Sequence, residues 1–418
     1  MARKVPRAAR RPSKASKPKA GNPARTGPRI AAAQAKKPAT RTRGVSSKGT
    51  PPHADPPGIG GIRELIDSVD AQIHELISKR ALLAQKVGIS KHAAGHTVDF
   101  YRPEREAQVL RMAIERNRKA RGPLSDEEIA RLFREIMSAC LAQQDPLKVA
   151  FLGPEGTFTQ QAVLKHFGQS VRALPLTSIE EVFREVESGT ADFGVVPIEN
   201  SSEGTVNNTL DMFLTSPLGV CGEVELRVHQ NLMGRMTSLE DVQRICAHPQ
   251  ALAQCRGWLA EHLQGVERLP VASNAEGARR ARDEEGTAAI ASAAAAVVYG
   301  LNMLVPEIED RADNTTRFLV VGSKAFEPSG TDKTTLLVSA AHTDAPGALF
   351  RLLEPLARSN VSLTRIESRP SRRRKWDYVF FIDLEGHAKL EPLASALAEL
   401  KARTSLCRVL GSYPKAVL

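Results

Sequence analysis

With 418 residues the chain exceeds what one hydrophobic core organises, so two to four domains are expected. Its 42% apolar content is ordinary for a globular protein, and its longest largely apolar stretch, Ala288 to Val298, is Ala-rich and shorter than the about 20 residues a membrane span needs, which excludes a membrane protein. The formal charge of +11 suggests a nucleic-acid binder only until it is located: residues 1–55 hold 15 Lys or Arg and one acid, Asp55, a net of +14 that leaves the remainder at −3.

Residues 1–57 are Pro, Ala, Ser, Lys and Arg with almost no large hydrophobes, so a disordered basic tail is expected, with non-specific polyanion contact as its minor role. The tail lacks an apolar signal core; an acid-poor transit peptide or a start site placed too far upstream stays open. Five cysteines without a C-x-x-C pair suit a reducing, cytoplasmic setting. His92 and His96 stand i, i+4 but have no third ligand nearby in sequence, so no metal is expected.

Helical periodicity begins at Ile62 and sets Ile66, Val69, Ile73, Leu76, Ile77, Leu83 and Val87 on one face. Arg80 falls in the middle of that face, and Lys91 lies on it roughly 16 Å further along. Arg63 is about 25 Å from Arg80 and rotated by some 100°, so it serves the same small ligand only if a second copy of the helix brings it in. A second helix starts at Arg102-Pro103-Glu104-Arg105-Glu106, with Pro in its first turn. The Ser125-Asp126-Glu127-Glu128 capping box announces a third, whose apolar face runs through Ile136 and Cys140 to Gln144. Three such helices bury their stripes poorly alone, which makes a helical dimer the expected solution, enclosing Arg80, Lys91, Arg105, Glu106 and Gln144.

From Lys148 the pattern becomes alternating α/β. Lys148 to Leu152 reads as a strand and Gly153 to Thr157 as a turn, after which Phe158 opens a helix, so Gly156 and Thr157 face an N-terminus suited to an anion. Ala191 to Ile198 is a second strand, ending in the polar run Glu199-Asn200-Ser201-Ser202-Glu203-Gly204-Thr205. Ala288 to Tyr299 reads as an Ala-rich helix. The polar run Asp310 to Thr316 then empties into Arg317-Phe318-Leu319-Val320-Val321. An unpaired Arg opening a strand buried on both faces would be costly, so an anion is expected to meet Arg317; a solvated loop is the alternative. After a linker over Ser323 to Asp332, strands and helices alternate as βαββαβ, with no evident catalytic set.

Five marks in this order carry a family resemblance: Gly153-Pro154-Glu155-Gly156-Thr157-Phe158, Pro197-Ile198-Glu199-Asn200-Ser201, Thr316-Arg317-Phe318, Gly347-Ala348-Leu349 and Glu367-Ser368-Arg369-Pro370. From Gly61 onward the chain resembles the bifunctional chorismate mutase and prephenate dehydratase of phenylalanine biosynthesis. The resemblance implies a multidomain protein: an all-α chorismate mutase type II helical dimer unit (58–145), an α/β, periplasmic-binding-protein-like dehydratase domain (147–323) and an α+β ACT regulatory domain (333–412).

By position it implies that Arg80 and, from a second copy, Arg63 hold the carboxylates of chorismate. Lys91 and Gln144 would donate to the ether oxygen, and Arg105 and Glu106 would orient the ring hydroxyl. Arg102 and Cys140 would lie at the same site, with Arg102 standing where the family can have Asp. In the dehydratase domain Thr316 would protonate the departing hydroxyl, Arg317 would bind a carboxylate and Phe318 would shape the pocket. Gly156, Thr157, Asn200, Ser201 and Thr205 would complete the cleft. Gly347, Ala348, Leu349 and Glu367 to Pro370 (Glu367, Ser368, Arg369, Pro370) would bind phenylalanine, an allosteric inhibitor, at a subunit interface.

The implied substrates are chorismate and prephenate, converted without cofactor or metal by a homodimer or higher homo-oligomer. Two other readings remain: a dehydratase whose helical unit serves only dimerisation, and a non-catalytic amino-acid sensor with a binding-protein-like cleft.

Overall fold

The computed structural model describes residues 59–93, 101–340, 346–371 and 377–417, with the side chains of residues 91–93 and 340 excepted. The basic tail, His96 and the Arg372 to Arg374 loop, expected to be solvated, lie outside the described residues. The chain divides into two units, Met1–Arg63 and Glu64–Leu418. Of the first, only the opening of one helix is described; the domains below belong to the second.

The helical stripe forms α1 (Ile59–Ala93). Its apolar residues Ile62, Ile66, Val69, Ile73, Leu76, Leu83 and Val87 are each at least 48% exposed in the single chain. α2 (Pro103–Ala120) begins with Pro in its first turn, and α3 (Asp126–Ala142) is capped by Ser125, whose hydroxyl accepts from the Glu128 N–H. Only half of the expected capping box closes, because the Glu128 carboxylate turns to Arg131 at 2.7 Å. Leu110, Ile114 and Ala130 join α2 to α3.

The first α/β lobe is built from β1 (Lys148–Leu152), α4 (Phe158–Phe167), β2 (Arg172–Leu176), α5 (Ile179–Glu187), β3 (Phe193–Asn200), β4 (Gly204–Thr205), α6 (Asn207–Phe213) and β5 (Gly219–Arg227). A second lobe follows with β6 (Asn231–Gly234), β7 (Arg244–Ala247), α7 (Pro249–Gln254), α8 (Arg256–His262), β8 (Glu267–Pro270), α9 (Asn274–Asp283), β9 (Thr287–Ala291), α10 (Ala293–Tyr299) and β10 (Asn302–Val305). The chain then returns to the first lobe as β11 (Thr315–Gly322), antiparallel between β3 and β5. The first sheet runs β2-β1-β3-β11-β5 and the second β10-β6-β9-β7-β8, so two crossings join the lobes, as in a binding-protein fold.

The expected helix from Ala288 is corrected here. Residues 287–291 form β9, buried between β6 and β7, and the helix begins only after Ser292 caps it. Alanine favours a helix, but small side chains also let a fully covered strand lie close to neighbours on both faces, and tertiary context decides.

The last domain is β12 (Asp332–Ala340), α11 (Ala348–Arg358), β13 (Leu363–Pro370), β14 (Tyr378–Glu385), α12 (Leu393–Arg403) and β15 (Thr404–Pro414), in sheet order β13-β14-β12-β15. The pleat splits its apolar residues between faces. Leu336, Val338, Ile382 and Leu384 pack under the helices. Leu337, Phe381, Leu410 and Tyr413 enter one core with Ile198, Val220, Leu319 and Val321 of the first lobe. The sheets approach so closely that a Cβ on Gly411 would lie 2.0 Å from the Val220 carbonyl oxygen, which leaves room only for glycine. Among the described residues no helix is long and apolar enough to cross a membrane.

Candidate active site

A cleft of about 380 Å³ lies where the lobes meet. Thr316, at the start of β11, faces it, and the register sets Thr316 opposite Asn200 at the end of β3, which faces it too. The Asn200 carbonyl oxygen accepts from the Ser202 and Glu203 N–H groups at 2.9 and 3.1 Å. That fixes the orientation of the amide, so its nitrogen donates to Thr316 Oγ1 at 2.8 Å and to Asn314 Oδ1 at 2.9 Å. Thr316 is thereby an acceptor toward Asn200 and keeps its own proton for a group in the cleft.

The sequence did not single out the amide network beyond this pair. Asn314 donates to Gln254 Oε1 at 3.1 Å, Gln230 donates to the same oxygen at 3.0 Å, and Asn274 donates to Gln230. The chain of amides crosses from one lobe to the other. Gln254 Nε2 ends it as a buried donor with no hydrogen-bond partner among the described residues, at the cleft wall. Asn314 was detectable, since period two puts it on the face of Thr316; nothing local to Gln230 or Gln254 signals that they converge.

None of the described residues lining the cleft is Lys, Arg, Asp or Glu. Helix N-termini border it instead: Thr157, His248, Ser273 and Ser292, which cap α4, α7, α9 and α10, all line it. Gly156 lines it as well, although its N–H already donates to Gln160 Oε1 at 2.6 Å.

Four residues expected at the cleft do not line it. Arg317 follows Thr316 and so points to the opposite face, donating to Glu223 at 2.9 Å, Asp383 at 2.6 Å and Tyr413 at 3.1 Å. Burial opposes its charge, yet Tyr413, Asp383 and Glu223 together hold its pKa above the ordinary value. The anion that meets Arg317 is therefore the protein's own. Phe318 is 2% exposed in the core with Phe151, Phe167 and Phe193 and does not line the cleft. Thr205 donates to Glu367 of the last domain at 2.8 Å. Ser201 closes the end of the β3–β11 ladder, its hydroxyl accepting from the Thr315 N–H at 3.0 Å.

In the helical domain Arg80 is half-buried, Arg63, Arg102 and Arg105 are exposed, Cys140 is buried, and the Lys91 side chain lies outside the described residues. The Gln144 amide donates to the Ala84 carbonyl of α1 at 2.9 Å. Glu106 departs from the expected grouping: a turn of 100° from Arg105 carries it into a small cavity with Tyr101, Arg134, Lys165 and His166. Burial pushes its pKa up to about 7, with Arg134 opposing.

On the last domain Gly347 holds a left-handed φ of 75° at the start of α11, and Ala348 and Leu349 follow it. Ser368 and Pro370 lie on the exposed side of β13, whereas Glu367 and Arg369 point to the first lobe, Arg369 meeting Asp211 at 2.8 Å. The strand's pleat thus places Glu367 and Arg369 on the opposite face of β13 from Ser368 and Pro370. Among the described residues no group of three His, Cys, Asp or Glu could hold a metal.

Two lobes joined by paired crossings enclose the cleft, and a βαββαβ sheet packs on the first of them. Residues 149–326 match the family model for prephenate dehydratase, residues 62–145 that for chorismate mutase type II and residues 334–402 that for the ACT domain. A bifunctional chorismate mutase/prephenate dehydratase of Pseudomonas aeruginosa is 52% identical over 87% of this chain and all of its own length. Two solved structures superpose with TM-scores of 0.60. One, a prephenate dehydratase of Arthrobacter aurescens in complex with L-Phe, is 38% identical over 65% of this chain and 93% of its own. The other, the quorum-quenching acylase GqqA, is 32% identical over 64% of this chain and 98% of its own. The chain belongs to the bifunctional chorismate mutase/prephenate dehydratase family, with a mutase domain, a dehydratase domain and an ACT domain in one polypeptide.

Proposed function

We propose that the helical domain isomerises chorismate to prephenate and that the two-lobed domain converts prephenate to phenylpyruvate, with Thr316 as the proton donor. Loss of carbon dioxide pushes electrons into the ring as the ring hydroxyl departs; hydroxide is a poor leaving group unless protonated. Thr316 gives its proton to that oxygen and regains one from solvent. The single observation that carries this reading is that Asn200 donates to the Thr316 oxygen at 2.8 Å, which stabilises the charge that oxygen acquires as its proton leaves. Helix N-termini, not an arginine, meet the two carboxylates of prephenate, and Gln254 Nε2 supplies a further donor.

For the mutase, two copies cover each other's α1 stripe as a homodimer, so that Arg63 of one copy joins Arg80, Lys91 and Gln144 of the other. The rearrangement is intramolecular and needs only conformer selection and fixed charges. The exposed apolar residues of α1 support this pairing. Phenylalanine acts as inhibitor through Gly347, Ala348, Leu349 and the exposed side of β13, in a cytoplasmic enzyme that does not depend on nucleic acid. The test feeds chorismate to the purified chain and follows prephenate and phenylpyruvate with and without phenylalanine. Arg80→Ala is expected to abolish the first step and Thr316→Ala the second. Prephenate accumulating as the sole product of the native chain would refute the dehydratase reading.

A further inference from the structure

The dehydratase pair and the ACT sheet are linked back to back. On β3 and β11 the register sets Asn200 opposite Thr316 and, one residue on, Glu199 opposite Arg317. The pleat sends the first pair to the cleft and the second toward the ACT sheet. There the register of β13 and β14 sets Arg365 opposite Asp383. The two cross-strand pairs meet with complementary charge: Arg365 contacts Glu199 at 3.0 Å and Arg317 contacts Asp383 at 2.6 Å. Arg365 also donates to Thr205, which donates to Glu367, so β13 grips both arms of the β3–β4 turn that carries Asn200. Arg317, Arg365 and Asp383 are nearly buried, at 12%, 10% and 3% side-chain exposure, and Glu199 is 42% exposed, so the two guanidinium groups are the members held in place by packing.

We propose that Glu199, Arg317, Arg365 and Asp383 form the coupling that positions Asn200 and Thr316 and carries the effector state of the ACT domain to the cleft. Inward Arg365 and Glu367 alternate along β13 with outward Ile366 and Ser368, so a ligand that shifts the outward side of the strand moves its inward side as one body. Tilting the Glu199 and Arg317 pair rotates the pair behind it, and Thr316 loses its line to the substrate hydroxyl. This rests on the reading of Thr316 as proton donor and phenylalanine as effector. Glu199, Arg317, Arg365 and Asp383 are positioning residues.

The test uses the full chain as Arg365→Gln, Arg365→Lys and Glu199→Gln, with added prephenate, phenylalanine binding by calorimetry and mutase turnover as a folding control. In Arg365→Gln and Glu199→Gln the phenylalanine Kd should stay within threefold of the native value, while inhibition at saturating phenylalanine falls below twofold. Without phenylalanine their kcat should drop about fivefold with KM within twofold, and Arg365→Lys should restore most of both effects. Full inhibition in Glu199→Gln overturns the proposal, as does loss of phenylalanine binding together with inhibition in Arg365→Gln. If the native chain itself binds no phenylalanine, the effector reading fails, and the split between kcat and KM alone decides the positioning role.

Discussion

Replacing Asn200 by Asp exchanges one NH2 group for an oxygen and leaves the shape of the side chain intact. The Ser202 and Glu203 N–H groups continue to hold one carboxylate oxygen where Oδ1 now sits. The other oxygen takes the place of the nitrogen 2.8 Å from Thr316 Oγ1, so Thr316 changes from acceptor to donor and its proton points away from the cleft. The variant loses a donor aimed at a developing negative charge, which is worth about 10²–10³ in kcat, or about 3–4 kcal/mol. Prephenate dehydration at saturating substrate should fall by that factor while turnover of chorismate to prephenate stays within about twofold. Combining Asn200→Asp with Thr316→Val should cost little more than either alone, because both act on one proton. An Asn200→Asp enzyme with kcat within threefold of native, or a double variant whose losses multiply, would refute the argument.

Three other substitutions probe the remaining assignments. Arg317→Met leaves Glu223 and Asp383 buried without their guanidinium partner and should cost about 3–5 kcal/mol in urea unfolding; a loss under about 1 kcal/mol would show the network to be dispensable. Burial raises the folded-state pKa of Glu106 to about 7 against 4.5 for the free carboxyl, so the folded chain holds this proton more tightly. The resulting stability is fully present below about pH 4.5 and is lost as pH rises toward 7. The native chain should thus lose up to about 3 kcal/mol relative to Glu106→Gln across that window, and parallel stability curves would rule this out. Ile73→Glu places a charge in the exposed α1 stripe and should shift sedimentation from dimer to monomer with loss of mutase turnover, dehydration staying within about threefold; an unchanged dimer would contradict the pairing of α1 helices.

Local periodicity was enough to reveal α1, α2 and α3, the βαββαβ order of the last domain and the polar turn before β11, because each rests on spacing within a few residues. Thr316 and Asn200 were legible for the same reason, as polar residues at strand ends. The strand β9 was not, because alanine's helical preference is overridden only by neighbours far along the chain. The partner of Arg317 lay out of reach for a deeper reason. Sequence shows that a buried cation needs an anion, but whether the anion is a substrate carboxylate or Asp383, 66 residues away, depends on which sheet face the side chain leaves. The one-residue step from Thr316 to Arg317 sends their side chains to opposite sides of β11. What lies on each side, a cleft of amides and helix ends or Asp383 and Tyr413 of the ACT sheet, exists only once distant segments have packed.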